Sequence, residues 1–186
     1  MIATSTTRLW TVEEYYRMVE TGILAPDERV ELIEGEVISM ASKKPPHVLV
    51  SELSSEYLRH LLADAAYIRI QDPVHLNDLS EPEPDIAVVV PPLRRYFDHH
   101  PSPEEIFLIV EVADATLQFD LQRKAAAYAK SEIQDYWVVD VNKNQVYIFR
   151  EPVAKTYTKI DVVSDRDTIR LLAFPDIEVV FQEFFP

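Results

Sequence analysis

The run "EEIFLIVEVADATLQFDLQRKAAAYAK" (residues 104–130) reads as a buried strand, a turn and a helix, with a carboxylate inside the strand. Ile106 to Val110 is an unbroken apolar stretch of the kind that fills a strand covered on both faces. Glu111 interrupts it and Val112 resumes it. An ionised carboxylate buried without partners is strongly unfavourable, so Glu111 calls for a compensating cation, either a side chain or a metal ion. Lys124 stands on the following helix, one turn before Tyr128 and on the same face.

Outward from this run, "DIAVVV" (85–90) is a second buried strand, opened by Asp85 after Glu83-Pro84 and stopped by Pro91-Pro92. "DYWVVDV" (135–141) is a third. Two apolar strands, an Ala-rich helix from Leu121 to Lys130 capped by Asp120, and a further apolar strand predict an α/β fold. Its mixed central β-sheet is flanked by helices on both faces.

Nearer the N-terminus, Thr11 to Thr21 reads as a helix with a Thr11–Glu14 capping box, ended by Gly22. "RVELIEGEVISMA" (29–41) reads as a β-hairpin turning at Glu34-Gly35. Leu49, Val50, Leu53, Tyr57, Leu58, Leu61 and Leu62 have helical spacing, predicting a helix from His47 to about Ala65. "YIRI" and "VHLN" read as strands. "VYIFRE", "TYTKIDVV" and "TIRLL" make the C-terminus strand-rich. With no repeat and no composition break, one domain over residues 1–186 is expected.

Composition narrows the function. At 47% hydrophobic and 27% charged residues the chain is globular. No apolar stretch approaches the ~20 residues that span a bilayer, so no membrane partner is expected. The stretch "MIATSTTRLWTVEEYY" lacks the apolar core of a signal peptide, which suggests a cytoplasmic protein. The absence of cysteine excludes disulfides, thiolate zinc sites and thiol nucleophiles, so any metal must bind oxygen or imidazole. The only glycines are Gly22 and Gly35, which excludes G-x-G-x-x-G, P-loop and G-x-S-x-G chemistry. A net charge of −14 opposes non-specific affinity for nucleic acid unless acids lie outside and lysines or arginines line a cleft.

Asp85, Glu111 and Lys124 are polar beside segments that should be buried. They fall at strand ends and in the helix that follows, where α/β sheets gather active sites. Two neighbouring carboxylates resist joint ionisation unless a cation lies between them. Mg²⁺ (or Mn²⁺) suits such a site, with the carbonyl of Val112 as a third protein ligand. His99-His100 reads as solvated loop, because adjacent side chains tend to diverge. Arg94-Arg95, Lys43-Lys44 and Arg123 read as surface charge unless they border the cleft, and Tyr136-Trp137 as core.

In order and spacing, "VELIEGEVISMA", His47 opening a helix, "PDIAVVV", "IVEVADATLQFDLQRKAAAYA" and "IQDYWVVDV" resemble the Uma2 (DUF820) group of the PD-(D/E)xK restriction-endonuclease-like superfamily. The resemblance covers nearly the whole chain. It implies a restriction-endonuclease-like fold and a Mg²⁺-dependent DNA endonuclease that hydrolyses phosphodiester bonds with metal-activated water. Asp85 and Glu111 would be metal ligands and Lys124 the catalytic lysine, supplied from the helix because Ala113 stands where the superfamily usually has it. Glu31 would border the pocket and hold a second ion or a water, and His47 and Tyr128 would support the site. The chain departs from its relatives at Ala113 and Ala115, where they carry hydroxyls, and at Glu132, where they place glycine.

Two other functions fit the same residues: a catalytically inactive interaction or oligomerisation domain retaining the nuclease fold, and a metal-dependent hydrolase of small phosphate esters. A homodimer is expected, with "VYIFRE" and "TYTKIDVV" as candidate contacts.

Overall fold

A computed structural model describes residues 7–25 and 27–186; the first six residues of the stretch read for a leader lie outside them. Ile106–Ala113 (β5) is the middle of a six-stranded sheet. Its order is β3 (Tyr67–Ile70), β4 (Ile86–Val89), β5, β6 (Asp135–Asp140), β7 (Gln145–Val153) and β8 (Thr156–Ser164). β5 and β6 run parallel and every other neighbouring pair is antiparallel, so the sheet is mixed as expected. The β5–β6 crossover is the helical segment that carries Lys124, which is why one short stretch decides the fold.

Alternation along the strands divides the core into two layers. Val88, Leu108, Val110, Val112, Trp137, Val139 and Ile148 face α2 (Pro45–Leu62) and pack against Val50, Leu58 and Leu62. Ala87, Ile109, Val138 and Phe149 face the crossover helix and pack against Ala125, Tyr128 and Ala129. The C-terminal Phe181 and Phe184 close the first layer against Trp137.

Three expected elements differ. "VHLN" is not a strand: Val74 N–H donates to Pro82 O at 3.0 Å and Leu76 N–H to Ser80 O at 3.0 Å, folding the segment back on its own loop. The helix from Leu121 starts earlier, as α3 (Leu117–Phe119), and passes through a π-helical turn (Asp120–Lys124) into α4 (Ala125–Lys130). Asp120 is therefore inside the helix and not its cap. The helix expected from His47 begins two residues earlier, at Pro45 and Pro46, a position where proline's missing N–H costs nothing.

The Thr11–Glu14 capping box is formed on α1 (Val12–Glu20). The hairpin of β1 (Val30–Ile33) and β2 (Glu36–Ser39) turns through Glu34 and Gly35, both at positive φ. A bridge between Leu32 and Glu81 lays β1 against the segment that leads into β4. Glu132 has φ +60°, a left-handed conformation after the helix that glycine adopts without strain. β9 (Thr168–Arg170) and β10 (Glu178–Val180) form a separate two-stranded sheet.

One buried acid is structural. Asp135 is fully buried and receives a bidentate pair from Arg150, both bonds 2.9 Å, plus the Trp137 indole N–H and the Leu172 amide. Its charge is fully matched within the protein. Glu111 is in a different position.

Candidate functional site

The β4–β5 register pairs Ile86 with Val110, so the next residues, Asp85 and Glu111, stand abreast at the end of the ladder. The Asp85 amide approaches Glu111 Oε2 at 3.4 Å, and Asp85 Oδ2 accepts from the Val112 amide at 2.9 Å. His47 Nε2, on the first turn of α2, lies 3.2 Å from Asp85 Oδ2, and Gln71 Nε2 donates to Oδ1 at 3.3 Å. Glu111 shares the face of Ile109 and Ala113 and so points at the crossover helix. There its Oε1 accepts from Lys124 Nζ at 2.9 Å and from the Tyr128 hydroxyl at 2.8 Å. The same ammonium is 3.2 Å from Glu31 Oε2, which also accepts from the Glu83 amide at 3.2 Å.

Glu31, His47, Asp85, Glu111 and Lys124 are thus gathered around one cleft of about 170 Å³, which Val112 also lines. Tyr128 stands behind it, sealed under Glu111. Two of the cleft's other lining residues stand next to the central carboxylates. Asp120 is buried and its Oδ2 accepts from the Thr116 hydroxyl at 2.6 Å. Lys43 reaches over the mouth, 3.9 Å from Asp85 Oδ1. Thr116-x-x-x-Asp120-x-x-x-Lys124 is an i, i+4 ladder visible in the sequence, and reading Asp120 as a cap concealed it. Lys43 carries no such signal; the chain path over the cleft places it. His99 pairs with Asp98 and Glu105 on the surface, away from these groups.

The electrostatics are those of a site short of positive charge. The cleft is lined by Glu31, Glu83, Asp85, Glu111, Asp114 and Asp120 against Arg29, Lys43, Lys44 and Lys124, an excess of two carboxylates. Burial pushes Glu111 up to about 8 against the pull of Lys124, with Asp85, Asp120 and Glu31 adding to the rise. Burial likewise raises Asp120 to about 6. Burial works against the Lys124 ammonium too, yet Glu111, Glu31 and Asp120 outweigh it and hold the amine protonated. Asp85 goes the other way: burial is outweighed by the His47 hydrogen bond and charge, the Val112 amide and Lys124.

The donor set fits a hard divalent ion, held with the help of water. Among the described residues no three His, Cys, Asp or Glu side chains are gathered tightly enough to hold an ion alone. Mg²⁺ does not need such a cage, because it keeps several of its waters and takes one or two carboxylates. Glu111 Oε2 receives only the long 3.4 Å contact from the Asp85 amide, which leaves it a free lone pair. With every acid ionised, the excess of two carboxylates equals the charge of one such ion.

A pH dependence follows. Glu111 and Asp120 bind protons more tightly in the folded chain than in the unfolded one. Their contribution to stability is complete below the ordinary carboxylate range and is lost as pH rises through about 8. Asp85, held down, contributes the reverse, which is lost only as pH falls below its ordinary 3.8. In chelator the thermal midpoint is expected to fall between about pH 5 and pH 8, and Mg²⁺ to raise it more at pH 8. Equal Mg²⁺ effects at both pH values, by scanning calorimetry, would remove Glu111 from the ion's ligands.

Comparison with known proteins agrees with this architecture. The family model Uma2, described as "Putative restriction endonuclease", matches residues 12–182. A solved structure from Anabaena variabilis, described as "a putative nuclease belonging to DUF820", superposes with a TM-score of 0.67 at 14% identity. The match covers 94% of this chain and 97% of that one. No curated protein matches the chain. No helix among the described residues is long and apolar enough to cross a membrane.

Proposed function

Since the chain belongs to the Uma2 family, a group of nuclease-like proteins, we propose that it is a Mg²⁺- or Mn²⁺-dependent endonuclease acting on DNA. The observation that carries this is the buried ammonium of Lys124, bonded to Glu111 and Glu31 beside Asp85, in a cleft whose acids outnumber its lysines and arginines by two. Asp85, Glu111 and the Val112 carbonyl would hold the ion. When bound, such an ion polarises a phosphoryl oxygen and makes water a nucleophile at neutral pH.

The protein's own groups do the rest. Lys124, fixed by two carboxylates, presents a preorganised positive charge to the oxygen on which negative charge develops, in a site from which bulk water is largely excluded. Tyr128 orients Glu111 from behind, and His47 with the Val112 amide orients Asp85. Lys43 and Arg29, at the cleft wall, are placed to neutralise a flanking phosphate. A cytoplasmic setting would supply both DNA and Mg²⁺.

One observation favours a second reading, the inactive interaction domain. Glu31, Asp85, Glu111, Asp120 and Lys124 are each 7% exposed or less, so the constellation could be a sealed ionic core. Plasmid, linear and single-stranded DNA incubated with protein and Mg²⁺ or Mn²⁺ decide between them. Nicking that disappears in Asp85→Asn, Glu111→Gln and Lys124→Ala supports the nuclease. No nicking together with no divalent-ion binding by calorimetry supports the interaction domain, and nicking that persists in all three variants comes from a contaminant.

A further inference from the structure

The two edges of the sheet are unlike. β3 is four residues long, whereas β8 is nine, and among the described residues no strand pairs with its outer side. Natural proteins keep exposed edges short or disrupt them, so a long open edge needs a reason. Ser164 marks where this edge ends: its amide donates to Asp167 Oδ2 at 2.7 Å and its carbonyl accepts from the Asp167 amide at 3.1 Å. Both its backbone groups thus point away from β7. By the alternation of an antiparallel ladder, those of Val162 and Ile160 point the same way and are open. Ile160 and Val162 are each 53% exposed, a strip of aliphatic surface on the α4 side of the sheet. Between and beside them, Lys159 and Asp161 have no ion-pair partner within the described chain.

We propose that β8 is a two-fold interface with a second copy of this chain, the strands pairing antiparallel about Ile160. In that register Ile160 lies opposite Ile160 of the other copy and exchanges N–H···O bonds with it. Lys159 then lies opposite Asp161, and Asp161 opposite Lys159, in the closer, non-hydrogen-bonded positions where side chains meet. The edge is self-complementary in charge, as an isologous contact requires. Neighbouring registers are penalised: a pairing centred on Lys159 sets lysine against lysine, and one centred on Asp161 sets aspartate against aspartate. The aliphatic strips of the two copies become contiguous. Each six-stranded sheet extends into the other, and the cleft at β4–β5 stays open because β6 and β7 separate it from the edge. Nothing in this depends on the chemistry of the cleft.

The test uses the full chain. Sedimentation from low to high micromolar concentration is expected to show dimer formation. Lys159→Asp or Asp161→Lys alone weakens it by about tenfold or more, and the double exchange restores it. Because the chain has no cysteine, Ile160→Cys is a clean reporter of register. Facing Cα atoms at a hydrogen-bonded antiparallel position are about 5.5 Å apart, within disulfide range, so mild oxidation should link two copies. Val162→Cys, offset by two residues on each strand, should not link. A chain monomeric throughout, single reversals without effect, or linking through Val162 but not Ile160 would each overturn the proposal. Circular dichroism of each variant confirms that the exposed substitutions leave the fold intact.

Discussion

Asp85→Asn is expected to lower metal-dependent DNA cleavage by a factor of about 10³ or more, with the fold intact. The substitution preserves shape. The asparagine oxygen can still accept from the Val112 amide, which Asp85 Oδ2 does at 2.9 Å, so β4 and β5 keep their register. What it removes is one negative charge from a cleft whose excess is two, and one of the two side-chain ligands offered to the ion. It also removes a charge that pushes up both Glu111 and Asp120. Because the fold favours the ionised Asp85, the variant should unfold at a somewhat lower temperature in chelator, while its Mg²⁺-dependent stabilisation shrinks. Loss of activity with an undiminished Mg²⁺-dependent stabilisation would mean that Asp85 acts through the fold. Retained activity would mean that it holds no ion.

Lys124→Met should have the largest effect on stability. Methionine keeps most of the length and packing of the stem but removes the cation from between Glu111 and Glu31, at 2.9 and 3.2 Å. Taking one partner from a buried ion pair leaves an uncompensated charge, which costs about 3–5 kcal/mol. Urea denaturation in chelator at about pH 9, where Glu111 is ionised in the folded parent, measures it. Two controls separate charge from packing. The loss should be smaller at neutral pH and below, where Glu111, held near 8 by burial, already carries a proton. Adding Glu111→Gln should recover part of it, and a double-mutant cycle gives the coupling. A loss below about 1 kcal/mol, within the range of exposed ion pairs, would show that Lys124 is not what neutralises Glu111.

Both effects trace to a feature legible in one dimension. A glutamate inside an apolar strand demands compensation whatever the fold, and the next helix carries Lys124 and Tyr128 on one face, groups of suitable chemistry. Asp85 could be read the same way, because it opens the neighbouring strand. Asp120 was misread because an acid before an Ala-rich run looks like a cap; the helix starts earlier, at Leu117, and the π-helical turn that carries Asp120 and Lys124 has no signature in composition. "VHLN" was misread because alternation over four residues cannot reveal that Pro82 and Ser80 fold back to satisfy its amides.

The sequence by itself determined the central strands β4, β5 and β6, a helix between β5 and β6, the two-sided burial of β5, and the absence of any cation next to Glu111 in the chain. These follow from local periodicity and from the cost of burying a charge, which act over a turn or a strand. Only the tertiary structure decided that Glu31 shares Lys124 with Glu111, that His47 and Gln71 hold Asp85, and that Lys43 lies over the mouth of the cleft. It alone showed that, among the described residues, no strand pairs with the outer side of β8. Those relations join residues tens of positions apart, brought together where the hairpin docks on Glu81 and α2 packs on the sheet. No local propensity encodes a distance of that kind.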